Sequence, residues 1–259
     1  MRQPGPVIAR RDSITIVLIR WEEKQLKGSK IGLAVVGSGR IGTLRARLAA
    51  RHPAVNFLAV SDIDPANAKK LAEKAGADFY SGSNDEIIAR PEVTAVIVST
   101  PEGEHAAPVR KALSLGKPVL VEKPITTTVA EATDLIDTAR RANRILQVGH
   151  LERFNEAVKA IEGLVSEPRF VESARLAPFK LRGTDVSVVL DLMIHDLDII
   201  LSFVEAEVAD IRAVGLPFWL AGGRATASRT DRATPASAAT KAPVRAATSR
   251  LLPTSTLSP

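Results

Sequence analysis

The 259-residue chain has no cysteine. Disulfides and thiolate metal sites are therefore excluded, and a reducing cytoplasm is the expected compartment. Also missing is any apolar run long enough to span a bilayer, so no membrane partner is expected. The stretch from Arg10 to Ile19 has the basic start and apolar core of a signal peptide. That core is too short, and no small-residue cleavage site follows. Large apolar side chains nearly vanish after Leu220: of the last 40 residues, 31 are Ala, Thr, Ser, Arg or Pro. Such a segment buries too little surface to offset its ordering entropy, so residues 217–259 read as a disordered low-complexity tail. The formal net charge of +6 invites a nucleic-acid reading. Five Arg and one Lys against one Asp within residues 220–259 account for +5 of it. The rest is close to neutral, and no nucleic-acid partner is expected.

What the chain does contain is organised around residues 31–42. Ile31 to Val36 is an apolar run that reads as a buried strand. Gly37, Gly39 and Gly42 follow in G-x-G-x-x-G spacing, with Ser38, Arg40 and Ile41 between them. An amphipathic helix begins there. In a dinucleotide loop the first glycine permits a tight turn, the second admits the pyrophosphate and the third lets helix pack on strand. The helix N-terminus offers free N–H groups to the phosphates. A second strand, Asn56–Ser61, ends at Asp62, where a carboxylate accepts the ribose hydroxyls of NAD. Asp62 would repel a 2′-phosphate, so NAD is expected over NADP. Arg40, which can reach a phosphate, keeps NADP as the alternative.

From Ile31 onward strands alternate with helices. Strands are expected at Ile31–Val36, Asn56–Ser61, Thr94–Ser99, Pro118–Glu122 and Ile145–Gly149, with a short one at Asp78–Tyr80. Helices are expected at Ile41–Arg51, Pro65–Ala75, Asp85–Ala89, Glu104–Leu115 and Val129–Ala142. Asp64 before Pro65 and Thr128 before Glu131 are helix-start signals. The fold class is thus α/β, a Rossmann doubly wound parallel sheet over residues 31–150. Residues 151–216 read as the start of an α+β substrate domain: a helix at Glu152–Leu164, a strand at Arg169–Ala177, a long apolar helix at Val188–Val204 and a strand at Val208–Val214. Residues 1–29 form a leader for which two readings stand: Ile14–Ile19 adds an edge strand, or the segment precedes the true start.

Three clusters sit at carboxyl ends of strands, where such sheets take ligands. Ser99, Thr100, Pro101 and His105 are placed to line the nicotinamide side of the cleft; an ordinary strand–helix loop has the same composition. Glu122 and Lys123 precede Pro124. An ammonium there can polarise a carbonyl or help move a hydroxyl proton, although a solvated Lys before a turn proline is the commoner meaning of Lys-Pro. In the third, Asp191, His195 and Asp198 form a polar stripe beside the apolar stripe Leu190, Ile194, Leu197, Leu201 and Val204. Asp191 and His195, four apart, are expected to be neighbours, with the carboxylate holding the imidazole tautomer and raising its basicity. A satisfied core histidine is the bland reading. A metal site is disfavoured by the lack of a second ligating His or Glu, and none is expected.

Together, Gly37-x-Gly-Arg-Ile-Gly42, Asp62, Ser99-Thr-Pro101 with His105, Glu122-Lys-Pro124 and Asp191-x-x-x-His195 resemble the glucose–fructose oxidoreductase and inositol dehydrogenase family, over roughly residues 30–216. The resemblance implies an NAD(P)-dependent sugar or polyol dehydrogenase. Its cofactor would lie against Gly37, Ser38, Gly39, Arg40, Ile41, Gly42, Asp62, Ser99, Thr100, Pro101, His105, Glu122 and Lys123. Lys123, Asp191 and His195 match the catalytic trio, and Lys123–Pro124 is often cis in the family. The segments Gln147–Asn155 and Leu192–Asp198 look like the branch acting on nucleotide sugars, such as UDP-N-acetylglucosamine 3-dehydrogenases. Arg153 and Asn155 then join the trio at the substrate. Family members complete the second domain with a broad sheet that usually forms the oligomer interface. That sheet has no counterpart in the sequence after Val214, which looks truncated or frame-shifted. The alternatives to a working dehydrogenase are a non-catalytic dinucleotide-binding protein and an inactive relative.

Overall fold

The computed structural model of the chain describes residues 30–175, 187–204, 206–214, 219–220 and 223–224. The leader expected at 1–29 and nearly all of the tail expected at 217–259 lie outside these residues. Within the tail, Trp219–Leu220 and Gly223–Arg224 pair as two antiparallel two-residue strands.

Six strands, β1 Ile31–Val36, β2 Val55–Ser61, β3 Phe79–Ser81, β4 Ala95–Val98, β5 Val119–Glu122 and β6 Leu146–Gly149, alternate with five helices. The helices are α1 Arg40–Arg51, α2 Pro65–Ala75, α3 Asn84–Ala89, α4 Ala106–Ser114 and α5 Val129–Ala142. The sheet order is β3-β2-β1-β4-β5-β6. Strand β1 pairs in parallel with β2 on one side and β4 on the other. The chain therefore reverses its direction of progress across the sheet at β1, so the loop after β1 lies at the topological switch point.

Local chemistry accounts for these elements. Ala34, Val35 and Val36 are completely buried, as an unbroken apolar strand covered on both faces requires. Val35, Leu58 and Val60 pack with Ala46 and Ala49 of α1 and with Leu71 and Ala72 of α2 into one core. The Asp64 side chain accepts from Ala66 N at 2.9 Å ahead of Pro65, and α2 ends at Gly76 with φ +70°. At the start of α5 Glu131 N donates to Thr128 Oγ1 as expected of a cap, and the hydroxyl donates in turn to Glu131 Oε2 rather than the Thr128 N–H doing so. Strand β1 and helices α2 and α5 have the expected bounds; the other elements of residues 31–150 lie within one residue of expectation, apart from α4. Its expected start at Glu104 becomes a 3₁₀ turn, Glu102–Glu104, before α4. Pro108 lacks an N–H and is tolerated only in a first turn, so the regular helix begins just before it.

After His150 three expectations are corrected. The helix expected at Glu152–Leu164 is split into a 3₁₀ turn at Leu151–Phe154 and α6, Glu156–Glu162. Asn155 between them is extended, and its side chain accepts from Ala157 N at 3.0 Å, capping α6. The helix expected at Val188–Val204 opens with a π turn, Val189–Met193, followed by α7, Ile194–Phe203. The strands expected at 169–177 and 208–214 are absent from residues 169–175 and 208–214, and residues 176–177 lie outside the described set. A strand is stable only against a partner ladder. Among the described residues neither segment has one, and Phe170, Val208, Ile211 and Val214 are exposed.

The chain packs as two compact units. Of the described residues, the first comprises 30–101, 107–119 and 137–145, and the second 102–106, 120–136 and those from 146 onward.

Candidate functional site

In the first unit the loop between β1 and α1 is built around its glycines. Gly37 has φ +95°, and a Cβ there would meet Ser99 O at 2.7 Å. A Cβ on Gly42 would meet Gly37 O at 1.9 Å, so α1 can approach the loop only because this residue has no side chain. A Cβ on Gly39 would meet nothing within 4 Å. The described protein itself does not require a glycine at 39, and a pyrophosphate could take the open space there. Gly39 is also the N-cap of α1 and makes no side-chain cap, which leaves first-turn N–H groups for a ligand's phosphates. This cradle fits the pyrophosphate of a dinucleotide. Arg40 is exposed at the start of α1, and Ile41 is partly buried.

Asp62, one residue past β2, is tied to the same loop. Its Oδ2 accepts from Ser38 N at 3.0 Å and from Ser38 Oγ, and its Oδ1 accepts from Asp64 N at 3.0 Å. Burial alone would raise the carboxyl pKa, but the bonds from Ser38, Asp64 and Asn67 outweigh it and hold the pKa below its ordinary value. Asp62 is thus a fixed anion beside the loop. With Ser38 and Gly39 it borders an open cleft of about 320 Å³ that is also lined by Asn67, Lys70 and Lys74. The sequence reading missed these three. Their spacing of three and four along α2 sets them on one face, and that was the available signal. Ser99 follows β4, and its hydroxyl is buried without a hydrogen-bond partner among the described residues. Thr100 and Pro101 continue that loop.

The second unit holds the other candidates. The Lys123–Pro124 peptide is cis. His105 is buried, with its Nδ1 2.8 Å from Pro124 O, so the ring braces the turn that carries Lys123. A Cβ on Gly149 would meet Glu122 Oε2 at 2.8 Å, so the end of β6 makes room for the Glu122 side chain. Lys123 Nζ donates to Asp191 O at 2.8 Å and to Asp191 Oδ1 at 3.0 Å.

This corrects the expected pairing of Asp191 with His195. In the π turn Ile194 N donates to Val189 O, five residues back, and the widened turn alters the rotation from Asp191 to His195. No hydrogen bond joins the two among the described residues, and His195 Nδ1 is buried without a partner. The basicity of His195 is lowered, not raised. Burial disfavours the imidazolium, and the nearby cations Lys123 and Arg175 add to the effect against the opposing Glu152. The ring is therefore neutral near pH 7, the form a general base requires.

Arg153 and Asn155 are engaged within the protein. Arg153 makes a two-point bond to Asp198, Nε to Oδ2 at 2.6 Å and Nη2 to Oδ1 at 2.5 Å. Asn155 caps α6. Asp196 is held in the same manner by Arg175, at 2.7 and 2.8 Å. No cluster of His, Cys, Asp and Glu suited to a metal occurs among the described residues.

Comparison with known proteins agrees with this fold. Residues 31–150 match the family model described as an oxidoreductase family with an NAD-binding Rossmann fold. A UDP-N-acetylglucosamine 3-dehydrogenase from Acidithiobacillus ferrooxidans is 37% identical over 70% of this chain and 57% of its own length. An inositol 2-dehydrogenase from Rubrobacter xylanophilus is 30% identical over 72% of this chain and 56% of its own. A solved structure of the Acidithiobacillus enzyme superposes with a TM-score of 0.67 at 35% identity, covering 72% of this chain and 61% of that one. The chain thus spans little more than half the length of these curated relatives. Through residues 31–150 the chain carries the NAD-binding Rossmann fold that describes this oxidoreductase family.

Proposed function

We propose that the protein transfers a hydride between nicotinamide and a hydroxyl-bearing carbon of a sugar, with a nucleotide sugar such as UDP-N-acetylglucosamine as substrate. The observation that carries the reading is a neutral, half-buried imidazole, His195, in the field of an ammonium, Lys123, that is itself anchored by Asp191. The bound nicotinamide supplies the hydride acceptor. His195 takes the hydroxyl proton as the carbinol is oxidised. Lys123 donates a hydrogen bond to the developing alkoxide and stabilises its charge. Asp191 fixes the ammonium. Asp62 accepts from the ribose, and the Gly37–Gly42 loop receives the pyrophosphate. The choice of a nucleotide sugar is supported by the relative that is 37% identical and by the segment Gln147–Asn155.

The test is kinetic. With UDP-N-acetylglucosamine and NAD, His195→Ala is expected to lower turnover by at least about 100-fold, the usual scale of a general base. NAD affinity, measured by fluorescence titration, stays within twofold. Retained turnover would remove His195 from the role. A second reading, dinucleotide binding without turnover, is favoured by the exposed Val208, Ile211 and Val214. It predicts normal NAD binding with no activity on any sugar tried.

A further inference from the structure

The carboxylate–imidazole pair expected at His195 occurs instead at His150. This residue follows β6, at the carboxyl end of a strand, and the sequence reading gave it no role. Its Nδ1 lies 3.7 Å from Asp198 Oδ2 and is buried without a hydrogen-bond partner among the described residues. Asp198 stands three residues beyond His195 on α7, and its side chain is only 11% exposed. Both of its oxygens are held by Arg153 at 2.5 and 2.6 Å. A guanidinium thus fixes the carboxylate, and the carboxylate faces the ring. An unpaired buried polar atom costs about 1–3 kcal/mol. Moving the ring by roughly 1 Å brings Nδ1–H onto Asp198. Such a bond would set the tautomer and leave Nε2 as an acceptor with nothing in the described protein assigned to it. Burial keeps the ring neutral; Asp198 opposes this, while Arg153 and Lys123 assist.

We propose that His150 is a further substrate-binding residue, its Nε2 accepting a hydrogen bond from a ring hydroxyl next to the one that His195 deprotonates. Asp198 and Arg153 are its positioning residues. The assignment rests on the reading of Lys123 and His195 as the reacting centre. Two imidazoles on one ring select a polyol or sugar with adjacent hydroxyls.

Calorimetric titration of UDP-N-acetylglucosamine into the full chain saturated with NADH tests the assignment. His150→Phe is expected to weaken binding about tenfold, the worth of one hydrogen bond. His150→Gln, whose amide reaches the Nε2 position, is expected to stay within threefold of wild type. His150→Asn, which reaches only the Nδ1 position, is expected to behave like His150→Phe. NADH affinity and melting temperature, measured on the same samples, separate recognition from folding. Equal binding by wild type and His150→Phe overturns the assignment, as does the absence of sugar binding by wild type. If His195→Ala abolishes turnover while His150→Phe binds normally, only this inference fails. If His195→Ala keeps turnover, the underlying reading fails with it.

Discussion

Gly39 and Gly42 are the same residue type three positions apart, yet they answer to different constraints. A Cβ on Gly42 would stand 1.9 Å from Gly37 O. Gly42→Ala should therefore cost about 1–3 kcal/mol, as overpacking does, and lower the melting temperature. Gly39→Ala meets no protein atom, so its melting temperature should match the wild type while NAD binding weakens at least about tenfold, because the methyl fills space that the pyrophosphate needs. Unchanged NAD affinity in Gly39→Ala would show that the phosphates do not pass that point. His195 gives a pH prediction. Its pKa in the folded protein lies below the ordinary imidazole value of 6.5. The acid limb of kcat/KM, which needs the neutral base, should accordingly fall below pH 6.5; a limb at or above that value would contradict the geometry. The sign for stability follows. Between the folded and unfolded pKa values the unfolded chain binds the extra proton, so the His195 contribution to stability is lost as the pH drops through 6.5.

Among the elements, α2 and the π turn carry the most functional information. Helix α2 sets Asn67, Lys70 and Lys74 along the cleft that Asp62 borders. Asp62 opposes a 2′-phosphate, whereas the two ammonium groups would attract one. Asp62→Ala should narrow the preference of NADH over NADPH by at least about tenfold, roughly the loss of one charge-assisted contact. Adding Lys70→Glu should restore much of it. Competitive fluorescence titration of both nucleotides measures the ratio, and an unchanged ratio in Asp62→Ala would remove Asp62 from discrimination. The π turn at Val189–Met193 shows why helical spacing misled. The rule that residues four apart are neighbours holds for an α-helix, and the turn between Asp191 and His195 is not one. It turns Asp191 to Lys123, a residue 68 positions away.

For the molecule as a whole, order follows burial. Strands β1 and β4 lie in the sheet with Val36 and Val98 fully buried. Residues 208–214 form no strand, and Val208, Ile211 and Val214 are 60–78% exposed. Amides of 208–214 should exchange hydrogen near unfolded rates while those of 33–36 and 95–98 stay protected, since protection follows buried, paired backbone. Strong protection of 208–214 would mean that those residues find a partner, such as a second chain. Exposed apolar side chains of this extent also favour association.

Sequence by itself determined the alternating strands and helices of residues 31–150, the glycine loop, Asp62 at the end of β2, and the caps at Asp64 and Thr128. All of these are written in patterns a few residues long: a buried strand's apolar run, a helix's 3.6-residue stripe, a residue that must lack a Cβ, an oxygen two or three residues before an N–H. The tertiary structure decided what those patterns cannot encode. Lys123 is anchored by Asp191, Asp198 is held by Arg153 beside His150, and Asp196 is taken by Arg175. The strands expected at 169–177 and 208–214 failed for the same reason in reverse. Alternation specifies which face of a strand is apolar but supplies no neighbour for its hydrogen bonds, and where the described fold offers none, the pattern stays in the sequence and no ladder forms.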